Sequence, residues 1–223
     1  MIYLFLSILF STLLVLIFKA FEKFNIDNFQ AIVFNYITAG LICFIFLEVP
    51  LGLSTLINQK WFPSAVLIGV LFISLFNLIA YSVQNIGIAT TSVANKISLC
   101  FPVIFGFIYL GDSVNLFKLI GILFALIAVY LTSLKEQENL NSLKPNLLFI
   151  PLLLFFGSGL LDIIFIYSLD AYDLVDEKLE LKFSLVIYFI ASIIGAILLC
   201  VKSYKTKQIN SKNIIAGVCL GIP

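Results

Sequence analysis

Long apolar segments dominate this chain and decide what it can fold into. A helix that crosses the roughly 30 Å hydrocarbon core of a bilayer needs about 20 mostly apolar residues. Seven segments meet this requirement: Ile2–Phe21, Phe29–Leu47, Phe62–Gln84, Ile88–Leu110, Leu116–Leu134, Leu147–Leu169 and Phe183–Val201. An eighth begins near Ile214 and reaches only to Pro223, about half the length of a span. The sequence therefore predicts an all-α, polytopic membrane helix bundle, truncated after about seven and a half spans.

The composition supports a membrane setting and excludes several kinds of chemistry. The chain is 62% apolar and 11% charged, whereas soluble domains carry roughly 25% charged residues. It contains no His and no Arg, and its net charge of +1 gives no reason to expect a nucleic-acid partner. The four cysteines lie in apolar stretches without a CxxC pair, as expected of small packing residues. We expect no metal, no cofactor and no enzymatic activity.

The N-terminal segment predicts the protein's location. The stretch from Ile2 to Phe18 has no positive residue before it and no small-residue cleavage site. A secretory signal peptide needs both features, so we interpret the stretch as a retained first span. We expect a multi-pass protein of a plasma membrane, the inner membrane in a bacterium. The lipid bilayer and a small-molecule substrate are the expected partners, and a homodimer is compatible with the sequence.

A sequence repeat divides the chain into two parts. The eight residues from Ser11 to Phe18 match those from Ser158 to Phe165 at five positions. Two further matches follow in the same order: Tyr36 and Ala39 with Tyr188 and Ala191, and Gly69-Val70 with Gly217-Val218. We therefore expect a first five-span half over 1–134, a polar connector over 135–146, and an incomplete second half over 147–223. A tandem five-span repeat must insert in opposite orientations, which places a substrate site near the midplane.

The region Ile79–Leu134 resembles the signature region of the EamA-like family, in the drug/metabolite transporter superfamily. The matching pieces run in order: Ala80-Tyr81, Thr91-Ser92-Val93-Ala94, Pro102, Gly111-Asp112, Gly121-Ile122-Leu123 and Ala128-Val129. The family usually has Gly-Glu in place of Gly-Asp. The resemblance implies ten spans in two inverted halves that transport small metabolites. The broken repeat and the half-length last segment predict about 60–80 further residues after Pro223, which would complete span eight and add two more.

Four residues of that region are predicted to have structural roles. Pro102 lies in the middle of span four, where it is expected to kink the helix and free a carbonyl group. Gly111 and Asp112 mark the turn after that span. Gly121 belongs to a small-residue face that is typical of helix packing.

Two charged residues lie inside predicted spans. Lys96 sits about eight residues into span four, and a lysine at the bilayer centre costs roughly 2.5–3.5 kcal/mol on insertion scales. It either extends its side chain to the headgroups or lines a cavity, where it meets an anionic substrate or a carboxylate. Lys96 is not part of the general family pattern, so the substrate does not follow from the resemblance.

Asp162 lies deeper in span six. It is either a structural group, in an ion pair or as a protonated acid bonded to a neighbouring helix, or the carrier of a coupling proton. A pair with Lys96 is a further alternative, which depends on whether spans four and six touch.

A row of polar residues follows one face of span three. Ser74, Asn77, Tyr81 and Gln84 are spaced by three, four and three residues, which places them on one side of a helix. Such a row either lines a cavity or forms interhelical hydrogen bonds worth about 0.6 kcal/mol each. Asn95, Ser98, Asn35 and Tyr36 are weaker candidates for the same surface.

These observations favour a secondary transporter that imports or exports a small organic metabolite, coupled to an ion or to exchange. A first alternative is a membrane-embedded enzyme acting on a lipid-linked substrate. The acidic loop from Asp170 to Glu180 is its only candidate cluster, and that loop has no His or Arg partner. A second alternative is a non-transporting scaffold, which would not need an intramembrane Lys and Asp. No P-loop is present to bind ATP.

Overall fold

The computed structural model describes residues 2–47, 56–111, 149–174, 176–203 and 210–221, together with 115–117, 120, 121, 123, 124 and 127. Regular structure within these ranges is helical, which confirms the predicted fold class. The helices are α1 (Ile2–Lys23), α2 (Asn28–Phe46), α3 (Phe62–Asn85), α4 (Ile88–Ile97), α5 (Cys100–Ile108), α6 (Phe149–Ala171), α7 (Glu177–Ser203) and α8 (Ser211–Gly221).

Among the described residues, five segments are long and apolar enough to cross a membrane: Asn28–Phe46, Phe62–Asn85, Ile88–Ile108, Phe149–Ala171 and Glu177–Val201. Their bounds follow the predicted spans closely. The largest difference is at α7, which begins at Glu177 rather than Phe183. Glu177 and Glu180 lie in its first turn, where acidic side chains favour a helix N-terminus. Most of predicted span five and the connector over 135–146 fall outside the described residues.

The chain forms two compact units. The first comprises Met1–Asn77 and Tyr167–Pro223, and the second comprises Leu78–Ile166. In the first unit α2 packs against both α7 and α8. Gly195 of α7 faces Val33, and Gly40 of α2 faces Tyr188. Because the contact moves backward along α7 as it moves forward along α2, these two helices run antiparallel.

Two equivalent glycine contacts make the sequence repeat visible within the first unit. A Cβ atom added at Gly69 of α3 would lie 3.1 Å from the Ile187 carbonyl oxygen and 3.1 Å from Ile190 Cβ. One added at Gly221 of α8 would lie 2.7 Å from the Asn35 carbonyl oxygen and 2.9 Å from Thr38 Cβ. A single shift of 152 residues in the numbering relates Gly69 to Gly221 and relates their partners in the same way. It also relates Tyr36 to Tyr188.

The equivalent contacts change one pairing in the sequence alignment of the two repeated segments. The alignment pairs Gly69 with Gly217, but the contacts pair Gly69 with Gly221, which is one helical turn later. Gly217 has a close contact of its own, with the Ala31 carbonyl oxygen and Phe34 Cβ. A helix that approaches another backbone this closely leaves no room for a side chain at the contact.

Buried amides join the N-terminal ends of α2 and α8. Asn213 Nδ2 donates to Gln30 Oε1 over 2.8 Å, and the Asp27 backbone N–H donates to Asn213 Oδ1 over 3.2 Å. Asp27 also caps α2 by accepting from the backbone N–H groups of Phe29 and Gln30. Gln30 and Asn213 are almost fully buried, so the mutual bonding avoids the cost of burying unpaired polar groups.

An aromatic cluster fills the middle of the first unit. Tyr36 stacks on Tyr188 with ring centroids 6.3 Å apart, and its ring also meets Phe72 and Phe76 at 6.2 and 5.5 Å. Tyr36 is 2% exposed. Its hydroxyl group finds no hydrogen-bond partner in the part of the chain that the structure describes.

Candidate functional site

The second unit contains the two charged residues that lie in the middle of spans. Lys96 lies eight residues after Ile88 and twelve before Ile108, the ends of its candidate span. At 1.5 Å per residue these intervals are about 12 and 18 Å. Asp162 lies thirteen residues after Phe149 and nine before Ala171, or about 20 and 14 Å. Each charge therefore lies within about 3 Å of the middle of its own span.

The span that carries Lys96 is interrupted next to it. The continuous helix predicted for span four is two helices, α4 and α5, separated by turn residues Ser98 and Leu99. Pro102 explains the position of the break, since it has no N–H group to donate to the carbonyl four residues earlier, which is that of Ser98. Phe101 N–H bonds that carbonyl instead, over 3.0 Å, and Leu99 N–H bonds the Lys96 carbonyl over 3.3 Å. Lys96 thus occupies the last turn of α4.

A buried pair of hydroxyl groups holds the start of α4 against α3. Ser82 Oγ and Thr91 Oγ1 are 2.7 Å apart, and Thr91 Oγ1 donates to the Gly87 carbonyl over 2.7 Å. Because a hydroxyl group has one hydrogen to donate, Ser82 must be the donor to Thr91. Gly87 has φ +133°, a conformation that favours glycine and permits the short turn between the helices.

A glycine contact holds α5 against α6. Gly159 faces the ring of Phe101 so closely that a Cβ atom there would collide with it. The Phe101 ring also packs on Phe155 and Phe156, with centroid distances of 4.9 and 5.8 Å. Gly159 precedes Asp162 by three residues, so this contact and Asp162 lie within one turn of α6.

Lys96 lies midway between these two attachments, five residues after Thr91 and five before Phe101. Its side chain and that of Asn95 are exposed, whereas Ser98 is buried and donates to the Asn95 carbonyl over 2.7 Å. Asp162 is half-buried. No ion pair joins Lys96 and Asp162 in the described structure, where the salt bridge observed is Lys19–Glu22.

The side chains of the polar row on α3 are exposed or partly exposed. Ser74 donates to the Val70 carbonyl and Asn77 donates to the Ile73 carbonyl, both over 2.7 Å and both within α3. Among the described residues neither side chain bonds another helix, which disfavours the interhelical interpretation for these two. Tyr81 is 47% exposed and Gln84 is partly exposed. Asn77 and Ser74 belong to the first unit, and Tyr81 and Gln84 to the second.

The residues predicted to have structural roles are placed as follows. Pro102 lies in the first turn of α5. Gly111 has φ +67°, which favours glycine at the end of the helix. A Cβ atom at Gly121 would meet nothing within 4 Å, so no described residue packs closely on it. Asp112 falls outside the described residues.

Sequence reasoning did not identify the residues that position the charged ones. Ser82 and Phe101 were not singled out, although each contributes a decisive contact. Thr91 was noted only within the motif that opens span four, and Gly159 only within the repeated segment. A usable signal was present for Ser82 and Thr91, since these two residues lie at similar distances on either side of the Gly87 turn.

Comparison with known proteins gives one family and one relative. The model of the EamA-like transporter family matches residues 1–134. A protein of Haemophilus influenzae, described as an uncharacterized protein, is 26% identical over 220 residues, which cover 97% of this chain and 73% of the relative. No solved structure matches the chain.

Proposed function

Because the chain belongs to the EamA-like transporter family, we propose that it moves a small organic metabolite across a bacterial inner membrane by secondary transport. The observation that carries the proposal is Lys96, an exposed charge at a helix break in the middle of a span. Charged groups at this depth usually face a substrate or ion pathway. Broken helices are tolerated there because they line cavities.

The interval to the membrane surface disfavours a lysine that reaches the headgroups. The nearer end of the candidate span is about 12 Å from Lys96 along the helix. A lysine side chain has only a four-carbon stem, which is shorter than this interval. We therefore assign Lys96 to the wall of a central cavity.

The other predicted site residues take supporting roles in this proposal. Asn95 extends the polar surface beside Lys96, and Tyr81 and Gln84 contribute the open face of α3. Asn77 continues that face one turn earlier on the same helix. Asp162, which has no basic partner in the described structure, carries the coupling proton if an ion gradient drives transport. Import or export, and ion coupling or exchange, are both compatible with these roles.

The proposal includes two inverted halves, over 1–134 and 147–223, joined by a connector over 135–146. The antiparallel packing of α2 on α7 supports opposite orientations for equivalent helices. The matched contacts of Gly69 and Gly221 support the same relation. A site near the midplane follows from such an arrangement.

Accumulation of solutes in proteoliposomes tests the proposed function. The full-length gene product is reconstituted, the vesicles are incubated with a bacterial metabolite extract, and mass spectrometry compares their contents with those of protein-free vesicles. We expect at least one small organic solute to accumulate. A correctly folded protein that accumulates none, with either a proton gradient or preloaded extract, would contradict the proposal.

A further inference from the structure

We infer that the transported molecule carries a single negative charge, which the Lys96 ammonium group binds in the middle of the membrane. The inference rests on the proposed function and narrows it to a class of substrate, organic monoanions such as monocarboxylates. Three observations support it: the depth of Lys96, the lack of an ion pair to it among the described residues, and the backbone of the turn beside it.

The first step is that Lys96 needs a counter-charge from outside the described structure. Its side chain is exposed rather than paired, and the salt bridge seen among the described residues lies elsewhere, between Lys19 and Glu22. The sequence contains no Arg and no His, and Lys96 is the one basic residue between Ile88 and Ile108, so no other basic residue of its own span can share an anion with it. A charge near the bilayer centre is normally compensated by a partner of opposite sign.

The second step concerns the helix break. Ser98 and Leu99 keep right-handed helical backbone angles, so the peptide dipoles continue through the turn. The turn therefore adds no separate charge that would neutralise the ammonium group of Lys96. No side chain caps the start of α5, and the ion pair seen among the described residues does not involve Lys96.

The third step limits the charge of the ligand. An ammonium group offers three donors and no acceptor, so it binds carboxylate oxygens and repels cationic amines. A monoanion makes the pair neutral. A phosphate monoester carries about −1.5 to −2 charges at pH 7, so one ammonium group would leave part of that negative charge uncompensated in the middle of the span.

The test separates metabolites by charge. A bacterial metabolite extract is divided at pH 7 into anionic, neutral and cationic fractions, and each is offered to proteoliposomes of neutral phosphatidylcholine that contain the full chain. We expect monocarboxylates from the anionic fraction to accumulate, while phosphate monoesters stay outside. Lys96→Met should lower this accumulation roughly 100-fold, and Lys96→Arg should retain the preference for anions. Lys60→Met, which removes an exposed lysine before α3, is the matched control and should change accumulation less than about twofold.

A second readout does not depend on transport. Mass spectrometry follows the reaction of the Lys96 amine with an acylating reagent, and the anionic fraction should slow this reaction while the other fractions do not. If neutral or cationic metabolites accumulate equally in wild type and Lys96→Met, the protein is a transporter and the inference is wrong. If phosphatidylglycerol protects Lys96 and the anionic fraction does not, a lipid phosphate is the counter-charge, and the inference is again wrong. No accumulation from any fraction would instead contradict the proposed function.

Discussion

The two compact units of this protein differ in how their helices are joined. In the first unit, glycines bring helix backbones together and buried amides bond each other across α2 and α8. In the second unit the described attachments are the Ser82–Thr91 pair and the packing of Phe101 on Gly159, and charged and polar side chains remain exposed between them. Close backbone packing leaves no room for a solute, whereas an exposed intramembrane lysine is useful only where a solute can reach it. We therefore expect changes in the first unit to damage folding and changes in the second to damage transport.

The largest expected effect is on folding, from Gly217→Leu. The position faces the Ala31 carbonyl oxygen and Phe34 Cβ so closely that any side chain forces α2 and α8 apart. Overpacking of this kind costs about 1–3 kcal/mol and sometimes more, and here the obstacle is backbone. We expect loss of the monodisperse peak in fluorescence-detected size-exclusion chromatography. Gly121→Leu is the control, since a Cβ atom there meets no described residue within 4 Å. Normal elution of Gly217→Leu would contradict the close-packed description of the first unit.

Lys96→Met should impair transport and leave folding intact, which is the reverse of the effect expected of Gly217→Leu. Methionine retains much of the length of the lysine side chain and removes its charge. Placing that charge at the bilayer centre costs roughly 2.5–3.5 kcal/mol. We expect transport to fall roughly 100-fold while the melting temperature in detergent is unchanged or higher. Wild-type transport by Lys96→Met would contradict the cavity assignment and favour a lysine that reaches the headgroups. In that case an impermeant amine reagent would label Lys96 from one side with or without substrate.

Much of this organisation could be predicted from the sequence, because helix formation in lipid depends on local apolar length. The described spans begin and end close to the predicted residues for that reason. The repeat was also readable, although its register at Gly69 needed the contacts of Gly221 to place it. Register depends on which backbones touch, and apolar residues recur too often along a span to identify the touching pair.

The attachments of the candidate site were not predictable in the same way. Pro102 indicates that a helix is disturbed, but the break falls at Ser98 because an unpaired carbonyl must find a donor nearby. Phe101 and Gly159 are 58 positions apart, and nothing in either local sequence indicates the other. The sequence did identify Lys96 and Asp162, since a charge in an apolar span is conspicuous without any structure.

Asp162→Asn tests whether the second unit contains one charged pair or two separate groups. We expect proton-driven transport to fall roughly 100-fold, because the amide keeps the shape of the carboxyl group but cannot take up or release a proton. Since no ion pair joins the two residues in the described structure, their effects on thermal stability should add within about 0.3–0.5 kcal/mol. A double variant that loses clearly less stability than the sum would indicate a direct pair.

Thr91→Val tests the attachment of α4 to α3. Valine keeps the branched shape of threonine, but it leaves the Ser82 hydroxyl group buried without an acceptor in the described structure. We expect a loss of about 1 kcal/mol, larger than that of Ser82→Ala, since Thr91 still donates to the Gly87 carbonyl in the latter. The double variant should lose less than the sum of the two. Ser192→Ala is the control, because among the described residues its hydroxyl group bonds the Phe189 carbonyl of its own helix and no other group. Equal and additive losses would show that the hydroxyl pair does not hold the helices together.

The smallest effect should come from Tyr36→Phe, at the one buried polar atom of the first unit that lacks a partner among the described residues. Phenylalanine keeps the ring contacts with Tyr188, Phe72 and Phe76 and removes a hydroxyl group whose burial is unfavourable when it is unbonded. We therefore expect no loss of thermal stability, and a melting temperature at or slightly above that of the wild type. This outcome would distinguish Tyr36 from Gln30, where Gln30→Leu removes the acceptor of the buried Asn213 Nδ2 group and should be destabilising. A clear decrease in melting temperature for Tyr36→Phe would mean that the hydroxyl group has a partner after all, and that the centre of the first unit contains a polar contact in addition to its close packing.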